Sequence, residues 1–180
     1  APERFIPGGL AGDYLIASSL VDKFFYGMSV TRIAKRFSQF GIELSEQNFS
    51  HWHLRAGMEL EPIAAAIREE ILRQPAISAD ETRLQVLDED DRADTLKSWL
   101  WVICSATPNQ PAAYFQYDPS RASDVFKRIV GDYDGFLQAD CYAGYQSEKQ
   151  HYQFRLALCL AHLRRRFVDA QKAGGYQSGS

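Results

Sequence analysis

At Pro75 the hydrophobic period of this 180-residue chain changes, and the change demands a fold with two differently built parts. Before it, apolar residues recur at helical spacing, beginning with Leu10, Tyr14, Leu15, Leu20, Val21, Phe24 and Phe25. Gly27 stops this first helix. Ser29 is placed to cap a second, with Val30, Ile33, Ala34 and Phe37 on one face, and Gly41 breaks it. Ser45 is placed to cap a third, carrying Phe49, Trp52, Leu54 and Leu60. Pro62 fits the first turn of a further helical piece with Ile63, Ala64, Ile67 and Ile71. Residues 1–74 thus read as a helical region, in which Ser29–Phe40, the break at Gly41 and Ser45–Gly57 make a helix-turn-helix-like pair.

After Pro75 the pattern alternates. The first strand places Ser78, Asp80, Thr82, Leu84 and Val86 on its more apolar face, and Glu81, Arg83 and Gln85 on its wetter one. Asp88, Glu89, Asp90, Asp91 and Asp94 mark an exposed hairpin turn. Further strands are expected at Ser98–Ser105, Pro111–Tyr117, Gly135–Asp140 and Phe154–Leu158. Helical segments are expected at Ser123–Val130, Gly144–Gln150 and Leu160–Lys172. Strands followed by alternating helices and strands predict an α/β fold over 75–180, a mixed sheet flanked by helices.

Composition sets the class. Hydrophobic residues are 46% and charged residues 24%, an ordinary globular balance. No apolar run reaches the ~18 residues of a membrane span, no basic-plus-apolar leader is present, and the three cysteines lack scaffold spacing. The expectation is a cytoplasmic protein without a membrane partner. A start at Ala1 and a glycine- and serine-rich end suggest a piece of a longer protein. The net charge of −3 weighs against a general polyanion binder, yet Arg32, Lys35 and Arg36 form one basic patch and Arg164, Arg165 and Arg166 another. In a DNA-binding helix-turn-helix the second helix enters the major groove, and Gln47, Asn48, His51, His53 and Arg55 are then candidate contacts. A plain helical hairpin and a solvated arginine face are the alternatives.

Asp80 and Asp140 carry the chemistry. Magnesium takes hard oxygen ligands, often one or two carboxylates with waters and substrate phosphate. Neighbouring strands lie about 4.8 Å apart, so carboxylates on adjacent strands can share an ion. Two ions about 3.5–4 Å apart can activate an attacking oxygen and stabilise a leaving one. The alternative is that Asp80 ends a strand and Asp140 opens a turn. Cys159 and His162 have half the spacing of a zinc site, or Cys159 is a small apolar residue at a strand end. In Asp140-Cys141-Tyr142-Ala143-Gly144-Tyr145, Gly144 permits a tight turn, and the tyrosines pack the site or stack on a base.

Taken together, Ser78-Ala79-Asp80-Glu81-Thr82, the Trp99/Trp101 strand, Leu137 to Tyr145, and Cys159-Leu160-Ala161-His162-Leu163-Arg164-Arg165-Arg166-Phe167 resemble the insertion-sequence-66-type bacterial transposases. Phe5-Ile6-Pro7-Gly8-Gly9-Leu10 and Gly41-Ile42-Glu43-Leu44-Ser45 fit that family too. The resemblance implies a ribonuclease H-like catalytic fold over 75–180 and an Asp-Asp-Glu triad, with Asp80 and Asp140 as the aspartates and Mg²⁺ or Mn²⁺ as cofactor. It implies transposon ends and target DNA as partners, a homo-oligomeric synaptic assembly, and a bacterial, nucleoid-associated setting. Two departures stand out. Leu160 replaces the family's Trp after the cysteine, and the family's glutamate lies beyond Ser180. Glu148 does not have that glutamate's context. The expectation is therefore a transposase fragment, lacking the C-terminal part of its catalytic fold and inactive alone for want of the third carboxylate. A DNA-binding remnant without catalysis and a ribonuclease H-like nuclease are the competing readings.

Overall fold

The computed structural model describes residues 4–6, 9, 11–87, 89, 92–107, 110–147 and 151–173. Expectations resting on Pro7, Gly8, Leu10, Asp88, Asp90, Asp91, Glu148 and the C-terminal glycines lie outside them. The chain forms two compact units, 1–63 and 64–180.

In the first unit, α1 (Asp13–Leu20) runs into a π-helical turn (Val21–Phe25), followed by α2 (Val30–Ser38) and the first turns of α3 (Glu46–Leu72). Both serine caps form: Ser29 Oγ accepts from the Arg32 amide at 3.4 Å and Ser45 Oγ from the Asn48 amide at 3.3 Å. Gly41, at φ +75°, closes α2 in a Schellman motif, with its amide bonded to the Ser38 carbonyl and the Ile42 amide to that of Phe37. A side chain is strained at that φ, so the break sits on glycine. Ile16, Ile33, Phe37, Phe49, Trp52 and Ala56 make the core, with the Phe37 and Phe49 rings stacked at 5.5 Å.

Two expectations fail here. Pro62 does not begin a separate helix; it lies inside α3, which is continuous for 27 residues. Proline removes one helical donor and crowds the preceding turn, but the helical residues on either side carry the element through. His53 is not a groove-facing residue either. It is 7% exposed, and its Nε2 is 3.1 Å from Ser19 Oγ.

The second unit holds a five-stranded mixed sheet in the order β3-β2-β1-β4-β5, built from Ala76–Gln85, Lys97–Ser105, Ala113–Asp118, Phe136–Ala139 and Arg155–Leu158 for β1 to β5. β1–β2 and β2–β3 are antiparallel; β1–β4 and β4–β5 are parallel. A parallel neighbour needs a crossover, and α4 (Ser123–Val130) supplies it between β3 and β4. Its Val125, Phe126, Ile129 and Val130 are buried with Ile77, Ala79, Trp101, Ile103, Leu137 and Ala139 on one sheet face. The opposite face leaves Phe115 60%, Tyr117 39% and Phe136 50% exposed, and α5 (Leu160–Ala173) buries no residue. Among the described residues, then, one face is covered where helices on both were expected. The Gly144–Gln150 helix is a short 3₁₀ turn, Ala143–Gln146. No helix of the described residues is long and apolar enough to cross a membrane.

Burial, with the nearby Lys23 charge second, holds the His53 pKa below its ordinary value. A depressed histidine stabilises the fold above its unfolded pKa and loses that contribution as pH falls, because the unfolded chain takes up the proton first. We expect the thermal midpoint to drop as pH falls below about 6.5, and the drop to shrink in His53→Gln, measured by circular dichroism melting across pH.

Candidate metal-ion site

The sheet changes direction between β1 and β4. The chain builds β1, β2 and β3 outward on one side, then returns through α4 to place β4 on the other side of β1. In open α/β sheets, ligands bind at such a switch point, beyond the carboxyl ends of the strands. The parallel register pairs Ser78 with Gln138. Asp80 lies two residues further along β1, and Asp140 is the first residue beyond the end of β4 at Ala139, so both come at the switch point. Both line a pocket of ≈ 190 Å³ together with Val102, Cys104, Cys159 and His162. Asp80 is exposed and Asp140 half-buried.

Each carboxylate is held by a nearby main-chain amide. Asp80 Oδ1 accepts from Glu81 N at 2.9 Å, and Asp140 Oδ1 from Tyr142 N at 2.8 Å. These bonds fix the side chains while leaving oxygen lone pairs for a ligand. Two hard carboxylates open to one pocket suit Mg²⁺ or Mn²⁺. Among the described residues, no group of three His, Cys, Asp or Glu side chains converges to hold an ion.

The strand alternation is the reverse of the expected one. Asp80 stands on the open face, while Glu81 points into the covered core with its side chain 1% exposed. The reason is Arg121, which precedes α4. Its Nε reaches Glu81 Oε1 at 2.8 Å, and its Nη2 pairs with the same oxygen. Tyr145 donates its hydroxyl to the other Glu81 oxygen. The guanidinium lies between two rings, 4.7 Å from the Trp99 centroid and 3.9 Å from that of Tyr142. Tyr142 donates its hydroxyl to the Arg121 carbonyl. Buried charge is tolerated when paired and hydrogen-bonded, and this carboxylate is both. Burial above all, then the Glu81 bond and the charges of Glu81, Asp140 and Asp80, push the Tyr145 hydroxyl upward in pKa, so it stays protonated and remains a donor. Gly144 matters here for space rather than for φ, since a Cβ there would lie 2.2 Å from Tyr142 Cε1.

The basic residues divide. Arg36 pairs with the buried Asp22, donates to Ser18 Oγ at 3.0 Å and lies over the Phe37 ring, so its charge serves the first unit's interior rather than a free patch. Arg32, Lys35, Gln47 and Asn48 are exposed on the first unit, as are Arg164, Arg165 and Arg166 on α5. The acidic turn is partly internal too: Glu89 accepts from Ser98 Oγ, and Arg92 donates to the Pro119 carbonyl at 2.7 Å. The roles of Glu81 and Arg121 were not legible beforehand, because the partners are 40 residues apart. His162 belongs with the pocket, and its Nδ1 is buried without a hydrogen-bond partner.

Cys159 and Cys104 share the pocket but differ in chemistry. The backbone amide of His162, then its side chain and the Ala161 amide, lower the Cys159 thiol pKa, whereas burial raises that of Cys104. The thiolate is the reactive form. At about pH 8, close to the ordinary thiol value, iodoacetamide should modify Cys159 before Cys104, as read by peptide mass spectrometry over time.

A sequence model described as "Transposase IS66 family" matches residues 8–179. Uncharacterized protein y4jD of Sinorhizobium fredii is 33% identical over 185 residues, covering 97% of this chain and 36% of the relative. Uncharacterized protein y4qI of the same organism is 28% identical over 192 residues, covering 100% of this chain and 35% of the relative. The chain spans about a third of the length of these curated relatives. No solved structure matches it. With the family model covering nearly the whole chain, this protein belongs to the IS66 family of transposases.

Proposed function

We propose that residues 75–180 form the front part of a ribonuclease H-like polynucleotidyl transferase centre, and that 1–74 form its helix-turn-helix-like DNA-binding region. The mixed sheet with α4 across it supports the fold. The observation that carries the function is that Asp80, on β1, and Asp140, just past the end of the neighbouring parallel strand β4, line one pocket. Both would hold Mg²⁺ or Mn²⁺, which supplies charge stabilisation and activation of the attacking oxygen in phosphoryl transfer. The chain's own residues do the rest. Glu81 N and Tyr142 N orient the two carboxylates, and the open sheet face admits the substrate backbone. Arg164, Arg165 and Arg166 bind phosphates along α5, and Arg32, Lys35, Gln47 and Asn48 contact DNA on the first unit. Arg36 has no part in that contact, being committed to Asp22. Transposon ends and target DNA are the partners in this reading, and copies of the protein assemble to pair two ends.

The 180 residues alone are proposed to lack strand transfer, because a third acid does not join the two aspartates among the described residues. The test uses a protein of the relatives' length carrying this sequence, assayed for cleavage and strand transfer of transposon-end DNA with Mn²⁺. Asp80→Ala or Asp140→Ala should each lower the rate by about 100-fold or more, equal to roughly 3 kcal/mol, with DNA affinity unchanged or raised. Full activity in either variant would refute the assignment.

A further inference from the structure

We propose that Arg121 is a positioning residue that sets the spacing of Asp80 and Asp140. The inference rests on the preceding reading that these two carboxylates share a cation. Its basis is a coincidence of roles. The amides that hold the two carboxylates belong to Glu81 and Tyr142. The side chains of these same two residues turn to the opposite side of the sheet and grip one guanidinium. Glu81 does so as an ion pair, and Tyr142 through its ring face and through the bond from its hydroxyl to the Arg121 carbonyl.

Arg121 therefore joins the backbone behind Asp80 to the backbone behind Asp140. The path runs from Asp80 through Glu81 and Arg121 to Tyr142 and Asp140. The direct ladder between β1 and β4 pairs Ala76, Ile77 and Ser78 with Phe136, Leu137 and Gln138, and it is recorded no further than Ser78 and Gln138. Beyond that point Asp80 is paired with Val102 of β2 and Ala139 with Leu158 of β5, and the Arg121 network is what links the β1 side to the β4 side. Tyr145 adds a parallel link from the same turn to Glu81. The planar fork and flat face of arginine are what allow one side chain to ion-pair and stack at once, so lysine is not an equivalent.

The expectation follows from how supporting residues act on ions. Removing a group that orients a ligand costs about 10–100-fold in metal affinity. In Arg121→Lys the charge is kept and the fork and stacking plane are lost, which separates positioning from a through-space charge effect. We expect Mn²⁺ binding by the 180-residue chain, followed by electron paramagnetic resonance titration, to weaken about tenfold in Arg121→Lys. Tyr142→Leu should weaken it comparably and serves if the lysine variant does not fold. The double variant should be little worse than the weaker-binding single, because both act through one connection.

A purely structural role would lower the melting temperature and leave Mn²⁺ affinity at wild-type strength in the folded variants. That result, alongside loss of binding in Asp80→Ala, would overturn the role given to Arg121 and keep the cation reading. Unchanged binding in Asp80→Ala would instead overturn the cation reading, and this proposal with it.

Discussion

The buried carboxylate of Glu81 is the constraint on which the sheet-bearing half of this molecule depends. A charge that is 1% exposed needs a counter-charge and further donors, and it finds them in Arg121 and Tyr145. Withdrawing one partner of a fully buried pair typically costs about 3–5 kcal/mol, and the cost here is smaller because the Arg121 side chain is 35% exposed and solvent screens it. Satisfying Glu81 draws together β1, the loop before α4 and the turn after β4, with Trp99 of β2 against the guanidinium. Because successive strand residues point to opposite faces, committing Glu81 to the core commits Asp80 to the open side. The polar network on the covered face and the candidate ion site on the open face are two consequences of one strand.

The covered face is aromatic as well as aliphatic. Phe126 stands 5.8 Å from Trp101 and 4.7 Å from Tyr145, so α4 reaches both the central strand pair and the turn after Asp140. The open face has no such cover among the described residues, and its pocket meets the start of α5, where Cys159, His162 and the arginine run follow each other. In the proposed function, an acidic pocket beside a basic helix would suit a phosphate backbone bound through a cation, the helix neutralising phosphate charge and the aspartates holding the ion.

Much of this was legible in the sequence because it is local. Ser29 and Ser45 cap the helices they were expected to cap, Gly41 breaks the chain between them, and the change of period at Pro75 marks the passage to strands within two residues. Strand order left Asp80 and Asp140 open between a shared ion and a strand end with a turn; both line one pocket. What failed depends on distant partners. The face of β1 was misread because the apolar count along it is nearly balanced, and Arg121 lies 40 residues further along the chain. Arg36 looked free because its partner, Asp22, sits in an earlier helical turn. His53 looked like a groove contact because nothing local announces Ser19. Pro62 obeyed a local rule that its helical context overrode.

The central claim is that the carboxylates of Asp80 and Asp140 meet over one cation. Anomalous diffraction from crystals of this chain grown with Mn²⁺ tests it most directly. The account predicts a single peak bridging the two side chains, within about 2.3 Å of an oxygen from each. A peak elsewhere with none between them, or carboxyl groups well over about ten ångströms apart, beyond the reach of any shared ion or metal pair, would contradict it.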